Sequence, residues 1–182
     1  MSSSDCVKAL GICRFQSGEH VSRWTWPTTA DLGMRVMAPS IEGVFEEAAL
    51  GLLEAMTPSM PEEVVVGTGE WRVHLHERDG DTGNDVLLLA WLDEVLFRAQ
   101  HDHRWLIEVS LSLHTDEQGR SVRAAVSYVD GRTIRRSVEI KAVTSHSMKL
   151  NFVEPGEHMP GIEGAVPELI GPAWCADVLL DV

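Results

Sequence analysis

Ser40-Ile41-Glu42-Gly43-Val44-Phe45-Glu46-Glu47-Ala48-Ala49-Leu50-Gly51-Leu52-Leu53-Glu54-Ala55-Met56 is a helix with one apolar face. Ile41, Val44, Phe45, Ala48, Ala49, Leu52, Leu53 and Met56 recur at i, i+3, i+4, i+7, i+8, i+11, i+12 and i+15, the spacing of a buried helical stripe. Ser40 is suited to cap its start, Glu42 sits favourably in the first turn, and Thr57-Pro58 stops it. What surrounds this helix sets the fold class, because a single apolar stripe must be buried against something else.

Upstream, Arg23–Trp26 and Leu32–Ala38 are rich in bulky residues and flanked by Pro27 and Pro39, the pattern of short strands around a polar corner at residues 28–33. Downstream, Val64–Val66 and Glu70–Glu77 are expected strands; in the second, Trp71, Val73 and Leu75 alternate with Arg72, His74 and His76. A loop from Asp79 to Gly83 leads into a second helix, from Asn84 or Asp85 to Gln100, with Leu88, Trp91, Leu92, Val95 and Leu96 facing inward. Trp105–His114 and Ser121–Tyr128 form an expected hairpin about the turn Asp116-Glu117-Gln118-Gly119. Val138–Thr144 and His146–Val153 are expected as two further strands, Glu154–Pro172 as a long loop, and Ala173–Val182 as a last strand. Two helices among roughly eight strands in this order predict an α+β single-domain sandwich of mixed or antiparallel sheet, not a doubly wound sheet. Residues 1–20 are expected as an N-terminal extension, in which residues 6–15 could add an edge strand, and 21–182 as the domain.

Composition narrows the function. The chain has 182 residues, 44% hydrophobic and 24% charged, with 28 acidic and 15 basic side chains and a net charge of −13. Such a balance disfavours direct nucleic-acid binding, which needs clustered Lys and Arg. Cys6, Cys13 and Cys175 form no C-x-x-C pair, so neither a disulfide framework nor a zinc knuckle is expected, and a reducing, cytoplasmic setting fits. No secretory signal opens the sequence, and the apolar run Val86–Leu96 is broken by Asp93 and Glu94, so no membrane role is expected.

Few residues carry obvious chemistry. No dinucleotide or P-loop glycine motif, nucleophile elbow or H-E-x-x-H appears. His74-x-His76 places two imidazoles on one strand face and His101-x-His103 lies at a helix end; such pairs can bind zinc or copper, although solvated histidines are the ordinary reading. Asp79, Asp81 and Asp85 lack the calcium-loop spacing and its closing glutamate, and suit a solvated turn. Asp31 sits in the corner between strands, and Asp181 adjoins Val182, whose carboxylate would add a third anion. If the last strand pairs near Asp31, the three anions converge, and a hard cation (Ca²⁺, Mg²⁺ or Mn²⁺) is the natural remedy for their repulsion. A terminal aspartate that is merely solvated is the competing reading.

At these residues the sequence resembles the archease family. Thr29-Ala30-Asp31-Leu32-Gly33 is similar to its T-A-D-[IVL]-G motif, Phe45–Leu52 to its acidic, alanine-rich first helix, and Trp91-Leu92-Asp93-Glu94-Val95-Leu96-Phe97 to its W-L-[ND]-E-L-L-[FY] segment. Lys141-Ala142-Val143-Thr144-Ser145-His146 resembles its K-A-V-T-Y-H strand, and Val178–Val182 its aspartate-plus-aliphatic ending. The fragments run in order from about residue 24 to residue 182. Thr28 stands where the family usually has His, Ser145 where it has Tyr, and the first twenty residues have no counterpart in compact members.

The resemblance implies a chaperone-like, non-enzymatic activator of an RtcB-type RNA ligase, which joins 3′-phosphate or 2′,3′-cyclic phosphate ends to 5′-hydroxyl ends in tRNA processing or RNA repair. Such an activator promotes nucleotidylation of the ligase's active-site histidine and repeated turnover. It further implies Asp31, Asp181 and Val182 as ligands of a divalent metal ion, calcium foremost, with Lys141 and His146 facing the ligase or supporting the metal corner. RNA would be reached only through the ligase. The alternative expectations are a stand-alone module of this fold that carries a metal or small molecule without a ligase, and a hydrolase built on the carboxylates.

Overall fold

The computed structural model describes residues 12–14, 22–29, 31–57, 66–76, 83–162 and 164–182. Among them run β1 (Ile12–Arg14), β2 (Ser22–Pro27), β3 (Asp31–Ala38), α1 (Ile41–Glu54), β4 (Gly67–His76), α2 (Asn84–Gln100), β5 (Arg104–Asp116) and β6 (Gly119–Asp130). A 3₁₀ turn (Gly131–Thr133), β7 (Ala142–Val153), β8 (His158–Met159), β9 (Glu168–Ile170) and β10 (Ala173–Asp181) complete the order. The strands form a four-stranded sheet ordered β2-β3-β10-β7, a three-stranded sheet β4-β6-β5 and a small sheet β1-β9-β8. All described strand pairings are antiparallel except β1 with β9, so the class is α+β with two helices, as the patterning predicts.

Helix α1 starts where its cap places it: the Gly43 N–H donates to Ser40 Oγ at 3.1 Å. Its stripe packs with that of α2 and with the inner faces of the two larger sheets in one core that includes Met34, Val36, Phe45, Leu52, Trp71, Trp91, Trp105 and Val178. The Trp91 indole N–H donates to the Phe45 carbonyl at 3.1 Å, and Glu46 Oε1 accepts the Leu111 N–H at 2.8 Å, tying α1 to both α2 and β5.

The opposite face of the four-stranded sheet is covered at one end by a smaller core of Met37, Val153, Val166, Leu169, Ala173 and Cys175, with Trp24 and Trp26 at its margin. Directly opposed residues of β3 and β10 share a face, and so do residues two apart along either strand. Asp31–Asp181, Gly33–Leu179, Arg35–Asp177 and Met37–Cys175 are therefore successive rungs on this outer face.

Two expectations need correction, and a third falls largely outside the described residues. Val138–Thr144 and His146–Val153 are not two strands: β7 is one strand from Ala142, and residues 145–148 bulge opposite Val178 where the register with β10 shifts between Asp177 and Leu179. Ser147 turns there with φ 58°. Glu154–Pro172 is not all loop, because β8, β9 and an Ile162–Val166 bridge cap the sheet. Val64 and Val65 lie outside the described residues, and Val66 precedes β4 without joining it. Most of residues 1–20 also lie outside; Ile12–Arg14 adds the edge strand β1.

Candidate metal centre at the Asp31–Asp181 corner

The corner is built by local hydrogen bonds at the start of β3. The Thr28 N–H and the Thr28 hydroxyl each donate to the Asp31 carbonyl at 2.9 Å, and the Asp31 N–H donates back to Thr28 Oγ1 at 3.0 Å. Threonine at position 28 thus folds over its own turn and fixes the entry of β3.

The second carboxylate comes from the far end of the chain. Strand β10 lies between β3 and β7, and its register sets Asp181 opposite Asp31 on one side and opposite Ala142 on the other. Two carboxylates directly opposed across an antiparallel pair have Cβ atoms roughly 4.5–5.5 Å apart and repel each other. Both aspartates are partly exposed, and neither carboxylate enters an ion pair among the described residues.

Lys141 closes the far side of the corner. Its N–H donates to the Asp181 carbonyl at 2.8 Å, and its ammonium donates to the Val182 oxygen at 2.8 Å. Asp31, Asp181, Val182 and Lys141 are thereby gathered at one end of the sheet. His146 is not with them: it is exposed in the β7 bulge opposite Val178, three positions of β10, or roughly 10 Å of strand, from Asp181. Among the described residues no three His, Cys, Asp or Glu side chains converge to hold a metal, so the corner offers two carboxylates and a main-chain oxygen.

The outer face behind the corner holds features that local pattern did not single out. Gly33 is required by Trp26, since a Cβ at position 33 would stand 2.1 Å from Trp26 Cε2. The indole therefore lies directly over the strand, one rung from the carboxylates. Another rung on, Arg35 Nε and Nη2 donate to Asp177 Oδ1 and Oδ2 at 2.6 and 2.7 Å, and Nη1 donates to the Pro160 carbonyl at 2.7 Å. Hydrogen bonding to Asp177 raises the Arg35 pKa against the opposing effect of burial. The alternation 31-33-35 and 177-179-181 was the signal for this face, but only the register reveals which rungs meet.

The other candidates are spread out. His74 and His76 lie on the exposed face of β4, His101 caps the C-terminus of α2, His103 follows it, and Asp85 stands in the first turn of α2. Asp79, Asp81 and Cys6 lie outside the described residues, and Cys175 is a buried free thiol. No helix among the described residues is long and apolar enough to cross a membrane.

Residues 24–182 match the model of the Archease protein family. Protein archease of Methanothermobacter thermautotrophicus is 32% identical over 126 residues, covering 67% of this chain and 83% of that protein. Protein archease of Thermococcus gammatolerans is 29% identical over 143 residues, covering 75% and 94%. The solution structure of Methanobacterium thermoautotrophicum protein 1598 superposes with a TM-score of 0.57 at 24% identity, over 88% of this chain and 98% of that one, and shares the fold. This chain belongs to the archease family.

Proposed function

We propose that this protein is a non-catalytic, metal-binding activator of an RtcB-type RNA ligase in tRNA splicing or RNA repair, and that it meets RNA only through that ligase. The observation that carries the reading is the placement of Asp31 and Asp181 as opposed partners on β3 and β10 in a chain of the archease family. The donor chemistry suits a hard divalent cation: two unpaired carboxylates and the Val182 oxygen are all oxygen ligands, and calcium, magnesium and manganese prefer such sets. Asp31, Asp181 and Val182 would hold the ion, with solvent or the partner in the remaining positions. When bound, the ion supplies positive charge where phosphate oxygens are handled.

The chain's own residues orient that corner. Thr28 fixes the Asp31 main chain, and Lys141 fixes the Asp181 carbonyl while its ammonium donates to the Val182 oxygen and so orients it. Lys141 and His146 are both exposed and would face the ligase. A net charge of −13 would speed encounter with a basic, RNA-binding partner and keep the chain off RNA itself.

The test is turnover of the cognate ligase with and without the protein, using wild type, Asp31→Ala, Asp181→Ala and a form with residues appended after Val182. Wild type is expected to accelerate ligation, and all three altered forms to lose most of that effect while keeping wild-type circular dichroism. No acceleration by wild type would defeat the partner assignment. Full stimulation by the altered forms would defeat the metal centre alone. Binding of a metal by a protein that never stimulates a ligase would favour the stand-alone carrier.

A further inference from the structure

Among the described residues no helix covers the outer face of the sheet β4-β6-β5, which carries a histidine pair unrelated to the aspartate corner. On β4, Arg72, His74 and His76 point outward while Trp71, Val73 and Leu75 turn to the core. β4 is held in unbroken register with β6 from Gly67 to His76, so the two histidines are presented by a fixed strand. Their ring centroids are 4.3 Å apart and the ring planes 58° apart.

We infer that His74 and His76 form a chelating site for a borderline divalent transition-metal ion, namely zinc, copper(II) or nickel. Two imidazoles on one such ion, with metal–nitrogen bonds of about 2.1 Å, place their centroids roughly 4.6 Å apart at a right angle between the bonds and about 5.3 Å apart at the tetrahedral angle. The observed separation is within a small rotamer adjustment of that. Both rings are exposed, so ligation costs little desolvation, and the fixed strand limits the entropy lost on chelation. Imidazole nitrogen suits these ions, whereas the carboxylates of the aspartate corner suit calcium or magnesium. The two sites thus separate by metal class.

Among the described residues the neighbours leave the site a two-imidazole chelate. His114 is in the same row, across Ser121, but its Nε2 is engaged by Ser112 Oγ at 2.9 Å. Gly119, opposite His76, has no side chain to crowd the ion. The guanidiniums of Arg72 and Arg123 stand one rung away, and the Glu70 carboxylate pairs with both and offsets their repulsion of a cation. Among the described residues no third His, Cys, Asp or Glu joins the pair.

Calorimetric titration of the full chain, prepared without a histidine tag, with nickel chloride and zinc sulfate tests this. One ion per chain is expected to bind below about 100 μM, and His74→Gln or His76→Gln to weaken it at least tenfold. His114→Gln and the double variant His101→Gln/His103→Gln are expected to bind as wild type. Calcium titration, which reports the aspartate corner, is expected to be unchanged by His74→Gln, so failure of one site is distinguishable from failure of the other. No binding by wild type in that range, or equal affinity in His74→Gln and His76→Gln, overturns the inference.

Discussion

Arg35 and Asp177 stand on opposed positions of β3 and β10 and join through two parallel hydrogen bonds of 2.6 and 2.7 Å, with the Arg35 side chain only 7% exposed. The same guanidinium reaches the Pro160 carbonyl, so one residue ties the strand bearing Asp31, the strand bearing Asp181 and the segment that follows β8. Removing one member leaves the other charge uncompensated. Asp177→Ala is expected to cost about 3 kcal/mol, measured by urea unfolding. Replacing both, as in Arg35→Met/Asp177→Leu, is expected to recover most of that loss, because it removes the stranded charge as well as the bond.

Gly33→Ala tests the cover over the sheet. A methyl group there must move the Trp26 indole, at a cost of about 1–3 kcal/mol. Trp26→Ala/Gly33→Ala is expected to be less than additive in thermal denaturation, since the first change removes the obstacle that the second meets. Under the proposed metal centre, calcium affinity is expected to fall in Gly33→Ala, because the displaced indole lies one rung from Asp31 and Asp181.

Cys175 is expected to be inert in the folded protein. Burial, assisted by the nearby Asp177 carboxylate, pushes its thiol up to about 12, so almost no thiolate exists at neutral pH. Alkylation by iodoacetamide, followed by peptide mass spectrometry, should modify it only as fast as the chain unfolds.

The acid limb of stability has a local contributor at the end of β6. The side-chain hydrogen bonds from Arg132, with its backbone N–H, hold the Asp130 carboxyl at about 2 against an ordinary 3.8. The folded state therefore favours the ionised form. That contribution is complete above the unfolded value and is lost as the pH falls from about 3.8 towards 2. Arg132→Ala should return the Asp130 titration, followed by carboxyl-carbon NMR, to the ordinary range and flatten this part of the stability profile.

Elements whose signal is local were legible in the sequence. The stripe of α1, its Ser40 cap, the α2 helix and the β5–β6 hairpin depend on periodicity and turn chemistry within a few residues. The β7 strand was split at Ser145, which a bulge absorbs together with residues 146–148 without ending the strand. β8 and β9 are two and three residues long, too short for any alternation to show within a Gly- and Pro-rich segment.

The candidate site was legible only conditionally. Local spacing made Asp31 and Asp181 candidates, but their opposition depends on the register of β10, which no local pattern encodes. Arg35 and Asp177, 142 positions apart, escaped notice for the same reason. His146 was grouped with the corner by the family resemblance, whereas the register sets it in the bulge opposite Val178, away from Asp181.

The interior place of β10 also has a consequence for the order of events in synthesis. β3 and β7 do not pair with each other; each pairs with β10, whose residues emerge from the ribosome last of the three. Until then the nascent chain holds a sheet with its middle strand missing, two unsatisfied edges, and Asp31 facing no partner. Such distant pairing closes slowly. The opposed aspartates consequently exist only in a chain that has been translated through β10 and has closed its sheet, and a truncated or partly folded product lacks that pair.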